Sequence, residues 1–161
     1  MTKKLLAVVL SLTCLLGLAA CGDKGEAEKE TAVPYEASVV TDLVTAGAFS
    51  EDLEELDTDT AYALYKLGDA QIDRGDLTDS AVLRSSGATC EEAALLVFSD
   101  ASTAQSAKNA MDGYVQSQIE ANKDYRPDDV PKLESATVSC VDNTLLLVVA
   151  NDQSAVDSVL K

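Results

Sequence analysis

The sequence predicts an α+β fold: a mostly antiparallel sheet of about four strands, with a long helix and shorter helices packed on one face. Three observations predict it. Apolar residues recur at helical spacing over residues 35–48 and again over 102–122. The run AALLVFS, residues 93–99, is short and nearly continuously apolar, as in a buried strand. Two further runs, residues 134–141 and 144–150, are separated only by Asp142 and Asn143, which suits a two-residue hairpin turn.

Each element follows in order. Val39, Val40, Leu43, Val44 and Gly47 share one helical stripe, so a first helix is expected over residues 35–48. Residues 51–55 are acidic and irregular. Asp57 or Asp59 can cap a short helix carrying Ala61, Leu64, Tyr65 and Leu67, with Gly68 as its stop. Residues 69–78 are polar and read as loop, residues 80–86 as a strand, and Ser85-Ser86-Gly87 as a turn. Ser102-Thr103-Ala104-Gln105 fits a capping box that opens the long helix. Ala104, Ala107, Met111, Tyr114, Val115, Gln118, Ile119 and Asn122 then line one stripe. That helix must end before Tyr125-Arg126-Pro127, because the residue before proline avoids helical geometry. In the hairpin, 141 pairs with 144 and 140 with 145. Ala136, Val138, Cys140, Leu145, Leu147 and Val149 then share a wholly apolar face that should meet the long helix. Asp152 or Ser154 can cap a last helix with Val156, Val159 and Leu160.

The N-terminus has a different character. Lys3 and Lys4 precede an apolar stretch, residues 5–16, and small residues follow at Gly17, Ala19 and Ala20. This is the layout of a secretory signal. As a helix the sixteen mostly apolar residues 5–20 reach roughly 24 Å, short of the ~30 Å hydrocarbon core of a bilayer. Leu18-Ala19-Ala20-Cys21 resembles a bacterial lipobox. That resemblance implies a diacylglyceryl group on the Cys21 thiol, cleavage before Cys21, and a freed amine that can carry a further acyl chain such as palmitate. Two or three chains hold a protein stably on a membrane, where one binds only marginally. The competing reading is a secreted protein cut at an ordinary site, with Cys21 incidental. The expected organisation is a signal peptide over residues 1–20, a lipidated cysteine and polar tether over 21–33, and a single domain over 34–161. The expected location is the outer, extracytoplasmic face of the cell membrane.

Composition narrows the function. Removal of residues 1–20, which hold two lysines and no acid, takes the formal charge from −16 to −18. Such a charge disfavours nucleic acid as a partner, so none is expected, and it disfavours flat docking on anionic lipid. It suits a solvated acidic surface and cationic partners. The chain has no Trp, two Phe and five Tyr, which counts against aromatic platforms for sugars or single strands. Histidine is absent, which removes Ser-His-Asp and Cys-His catalysis and most zinc sites. The S-x-x-K at Ser158 to Lys161 lies at the chain end and is read as chance; no G-x-S-x-G, P-loop or dinucleotide-binding glycine pattern occurs. The acids Glu51, Asp52, Glu54, Glu55, Asp57 and Asp59 lack the glycine and distal glutamate of an EF-hand, so a solvated loop is the better reading than a Ca²⁺ site. No metal or cofactor is expected.

Three smaller features are structural candidates. Glu91 and Glu92 precede the buried strand, and one of them is expected to face inward to pair with Arg84. Asp128-Asp129 reads as helix-exit chemistry. With Cys14 in the signal and Cys21 lipidated, Cys90 and Cys140 remain, an even number in an exported domain. They form either a disulfide, closing a loop of about fifty residues and stabilising by about 2–4 kcal/mol, or two buried free thiols.

The order of these features resembles a family of small lipoproteins of Gram-positive, largely clostridial, bacteria that carry a domain of unknown function. The similarity spans roughly residues 35–160. It is carried by Ser86-Gly87-Ala88-Thr89 leading into Glu91-Glu92, by Tyr125-Arg126-Pro127 with Pro131 and Leu133, and by the hairpin ending Val148-Val149-Ala150-Asn151-Asp152. Cys90 and Cys140 stand outside that pattern. The resemblance implies location and fold but no site. The function expected is therefore a non-enzymatic binding or interaction module for an unidentified envelope protein or ligand. An envelope enzyme and a small solute-binding accessory subunit are the alternatives, the latter weakened because a chain this short does not readily form two lobes. Oligomeric state is left open.

Overall fold

The computed structural model describes residues 33–161. The signal-like segment, the lipobox residues Leu18, Ala19, Ala20 and Cys21, and the tether up to residue 32 lie outside the described residues. Strands β1 (Glu54–Leu56), β2 (Leu77–Arg84), β3 (Glu92–Phe98), β4 (Thr137–Val141) and β5 (Thr144–Val149) form one antiparallel sheet in the order β1-β2-β3-β5-β4. The helices are α1 (Ser38–Thr45), α2 (Thr58–Leu64), α3 (Ala101–Asn122), α4 (Val130–Glu134) and α5 (Gln153–Val159). The α+β class holds, with five strands rather than about four.

The two central strands explain the layering. β5 is buried at every position and β3 at all but Val97. A strand buried throughout has two faces to cover, not one. One face carries Val82, Ala94, Leu96, Leu145, Leu147 and Val149, and packs on Ala104, Ala107, Met111, Val115 and Ile119 of α3. The opposite face carries Ala93, Leu95, Leu146 and Val148, and packs on Val39, Val40 and Leu43 of α1 and Val156 of α5. The expectation of helices on one face is thereby corrected. The sheet is sandwiched, because both alternating residue sets of β3 and β5 are apolar. Ala104 and Ala107 are fully buried, which lets the α3 backbone lie close to the sheet.

The hairpin register is the expected one, Val141 with Thr144 and Cys140 with Leu145. Asp142 takes a left-handed φ of 50° in its turn. Asn143 ties that turn to the end of β3: its side-chain amide donates to the Phe98 carbonyl (2.9 Å), and Phe98 N–H donates to the Asn143 carbonyl (2.8 Å).

Other boundaries moved for identifiable reasons. α1 begins at Ser38 because Tyr35 is held across the β4–β5 hairpin, its N–H donating to Thr144 Oγ1 (3.1 Å) and its hydroxyl to Ser139 Oγ (2.8 Å). β1 lies in the stretch read as irregular; its two glutamates face solvent at the sheet edge, so no apolar alternation marks it. α2 is capped by Asp57, which accepts from Thr60 N–H (2.9 Å), and it stops at Leu64. The left-handed residue after it is Lys66, φ 52°, rather than Gly68. Gly68 serves a close approach instead: a Cβ there would sit 3.0 Å from the Tyr62 hydroxyl, which donates to the Ile72 carbonyl. Asp100, not Ser102, caps α3, accepting from the N–H groups of Ser102 (2.8 Å) and Thr103 (2.9 Å). A carboxylate at that place also complements the positive end of the helix. β4 begins late, at Thr137, because α4 with Pro131 in its first turn occupies residues 130–134. Asp152 caps α5.

This packing predicts an asymmetry within one cross-strand pair. Leu147→Ala, in a fully buried site of the core, should cost about 2–5 kcal/mol. Val138→Ala, its partner on half-buried β4, should cost about 1 kcal/mol or less. Urea unfolding of the two variants checks the order.

Candidate functional site

The turn between β2 and β3 is built by its own side chains. Ser85 Oγ accepts from the N–H groups of Gly87 (3.2 Å) and Thr89 (3.0 Å), and Gly87 takes φ 123°. A hydroxyl bonded back to nearby N–H groups offers the chain an alternative to continuing the strand. Thr89 Oγ1 accepts from Glu91 N–H (3.1 Å) and donates to Glu51 (2.6 Å). Hydrogen bonds from Ser85 and Thr89 hold the Glu51 carboxyl below its ordinary range.

The segment after α3 closes over this turn. The Arg126 guanidinium donates to the Thr89 carbonyl (3.0 Å), and Cys90 Sγ donates to the Asp129 carbonyl (3.5 Å). Lys132 Nζ reaches Glu91 Oε1 at 2.7 Å and Asp129 at 3.5 Å. Glu91 is wholly buried, and Ser50 supplies two more donors to it, its N–H at 2.7 Å and its hydroxyl at 2.5 Å. Two of the three stretches that carried the family resemblance, 86–92 and 125–133, thus meet at one end of the sheet.

Glu92 is the second buried acid. It accepts from the hydroxyls of Tyr65 and Tyr114 (2.9 Å for Tyr114) and lies 3.4 Å from Arg84 Nε. The expected inward pair with Arg84 is therefore present. The two tyrosine rings pack edge to face, centroids 5.1 Å apart. Burial raises the Glu92 carboxyl above its ordinary range, against the opposing pull of the three donors. Burial, with Glu92 close by, raises both tyrosine hydroxyls too. Sequence reasoning missed Ser50, Tyr65, Tyr114 and Lys132 as partners. A signal for Tyr114 existed: it falls on the buried stripe of α3, and a buried tyrosine hydroxyl seeks an acceptor.

A raised carboxyl beside tyrosines and an arginine is the kind of group from which acid–base sites are built. Here the geometry favours a framework. Each glutamate already receives three donors, and every buried side-chain nitrogen and oxygen among the described residues has a partner. A hollow of about 240 Å³ beside the turn is lined by Arg84, Arg126, Asn122 and Cys90. Burial, with Asp129 nearby, pushes the Cys90 thiol up to about 11, so it is a thiol and not a thiolate at neutral pH. Among the described residues no group of three or more His, Cys, Asp or Glu side chains is placed to hold a metal ion.

Cys90 and Cys140 are free thiols, and the structure does not bring them together. Cys140 pairs with Leu145, and Leu145 with Leu96, on the far half of β3 from Cys90. At about 3.3 Å per residue that offset alone is roughly 20 Å. A disulfide needs Cα atoms within about 7 Å.

A second, wider opening lies on the other flank of α3. A groove of about 550 Å³ runs between α3, α4 and β4. Val115, Ile119, Leu133, Ala136 and Val138 form its floor, and Asp112, Glu120 and Glu134 stand on its rim. Lys123 is also on the rim and is engaged with Glu120 at 2.6 Å, and Asp112 is paired with Lys108 at 2.8 Å. β4 is the outermost strand on that side.

The sequence matches the family model for a domain of unknown function, DUF4358, over residues 46–150. That range takes in all five strands, α2, α3 and α4, and leaves out α1 and α5. No curated protein and no solved structure matches the chain significantly.

Two predictions separate the glutamates. Glu91→Ala leaves Lys132 with Asp129 alone and unpairs both Ser50 donors, and should cost about 3 kcal/mol, measured by urea unfolding. For Glu92 the sign is set by its raised carboxyl: its contribution is complete below the ordinary carboxylate range and is lost as pH rises through the raised value. The stability of the native protein relative to Glu92→Gln should therefore fall as pH rises above the ordinary carboxylate range, about pH 4. A rise instead would reverse the assignment.

Proposed function

The chain belongs to the DUF4358 family, a domain of unknown function, and from that premise we propose that it is an extracytoplasmic lipoprotein whose folded part is a non-enzymatic binding module. Lipid on Cys21 holds the module on the outer face of the cell membrane, as in the small Gram-positive, clostridial-type lipoproteins that it resembles. The anchor reading is supported by the charged start, the short apolar stretch and Leu18-Ala19-Ala20-Cys21. Two acyl chains would suffice for stable attachment.

The observation that carries the binding half is the open groove of about 550 Å³ along α3 and β4. A concave groove with apolar residues at its base and acids on its rim, at the edge of a sheet, is a surface that a partner can use. The envelope-enzyme reading draws on Glu92 and its raised carboxyl. It is weakened because Tyr65, Tyr114 and Arg84 already occupy that carboxyl.

Two measurements test the two halves. Cells fed an alkyne-bearing fatty acid should label the native protein in the membrane fraction. Cys21→Ser should lose the label and leave that fraction. Native protein that carries no label, or that washes freely into the medium, would sink the anchor. For binding, a photocrosslinker at exposed Gln116 on the groove rim should give an envelope adduct that the same group at exposed Thr41 on α1 does not. Equal results from both positions would remove the groove as the site.

A further inference from the structure

The two edges of the sheet differ in kind. β1 is three residues long and carries Glu54 and Glu55, both exposed. Short length and charge are the usual guards of an edge strand against pairing with another chain. β4 reads Thr-Val-Ser-Cys-Val over Thr137–Val141, with no charge, no proline and an unbroken register to β5. Among the described residues no strand pairs with its outer side. Its length of about 17 Å, at about 3.4 Å per residue, is enough for a short segment to pair along it.

The groove lies against this same unguarded edge. A strand added beyond β4 would alternate its side chains between two faces. On the α3 face they would enter the groove, over Val115, Ile119 and Val138 and toward Glu134 and the carboxylates of Asp112 and Glu120, which also pair with Lys108 and Lys123. Lysine or arginine fits that section best: the aliphatic stem covers the floor while the cationic head meets the rim. On the opposite face the neighbours are Thr137, Ser139 and Val141, with Tyr35 bonded to Ser139. That face asks only for a small or β-branched residue.

We propose that β4 is a docking edge for an extended cationic segment of a partner protein, which adds as a further strand with Lys or Arg at alternate positions in the α3–β4 groove. This rests on the reading of the groove as a binding surface and names its partner's chemistry. Main-chain hydrogen bonds supply affinity and the alternate side chains supply selectivity. Charge argues against a second copy as the occupant. Each copy would bring its own acidic rim to the contact, on a chain of net charge −16.

Fluorescence anisotropy with the full-length protein in neutral detergent tests this, using a short labelled peptide of alternating lysine and valine. The peptide should bind, and its glutamate–valine counterpart should not. N-methylation of its amides keeps every charge but removes the strand donors, and it should abolish binding. Glu120→Lys with Glu134→Lys should weaken binding by roughly tenfold or more, whereas Glu54→Lys with Glu55→Lys, the same change in net charge on β1, should not. All four residues are exposed, so the variants should fold. Equal binding of the N-methylated peptide, or equal loss in both double variants, would reduce the effect to attraction by a negatively charged protein and overturn the proposal. So would the absence of binding by any peptide. In that last case an adduct from Gln116 keeps the groove as a binding surface for other chemistry, and no adduct removes both readings.

Discussion

Two carboxylates on successive residues at the start of the central strand organise this domain. A buried carboxylate without donors is costly by several kcal/mol, so Glu91 and Glu92 each need a set of partners from elsewhere in the chain. Glu91 draws on Ser50, just beyond α1, and on Lys132 in α4. Glu92 draws on Arg84 in β2, Tyr65 at the end of α2 and Tyr114 in α3. The acids thereby fix where those segments stand relative to β3. Hydrophobic burial brings the layers together without direction; the hydrogen bonds to these two side chains give them register.

This framework separates support from use. Around the acids the polar atoms are paired, and the thiol nearby is held in its protonated form. On the opposite flank of α3 the groove has an apolar floor and an acidic rim, with β4 unpaired beyond it among the described residues. A rigid, satisfied cluster on one side of a helix and an open, charge-marked surface on the other suit a scaffold that presents a binding edge. The acidity read from composition acquires a place here. Asp112, Glu120 and Glu134 face one opening, the first two paired on the helix surface with Lys108 and Lys123, while Asp57, Asp100 and Asp152 cap helices.

Local patterns were legible where one face of an element was uniform. The α3 stripe of Ala104, Ala107, Met111, Tyr114, Val115 and Ile119 is the buried face, and the hairpin register from Asp142-Asn143 is the one observed. The inward pairing of Arg84 with a glutamate could also be read, because an acid ahead of an apolar strand has few other places to go. β1 could not: its glutamates face water, and three residues carry no period. The second helical layer was not legible because Leu146 and Val148 pair with Ser139 and Thr137, so that face of the hairpin is half polar in sequence. Those polar residues lie at the sheet edge, where Tyr35 reaches Ser139, while the centre of the same face is apolar.

By itself the sequence determined the class of fold, the long helix, the closing hairpin and the exclusion of histidine chemistry, because these depend on composition and on contacts between near neighbours. It also holds the signal-like start and the lipobox-like tetrapeptide as patterns in the chain. Tertiary structure alone decided that Ser50, Tyr65, Tyr114 and Lys132 converge on two adjacent acids, that Cys90 and Cys140 stand apart, and that a groove opens beside β4. Those outcomes depend on which strands become neighbours across long stretches of chain. The order β1-β2-β3-β5-β4 settles that by burying two central strands on both faces, a collective property that no local window of residues contains.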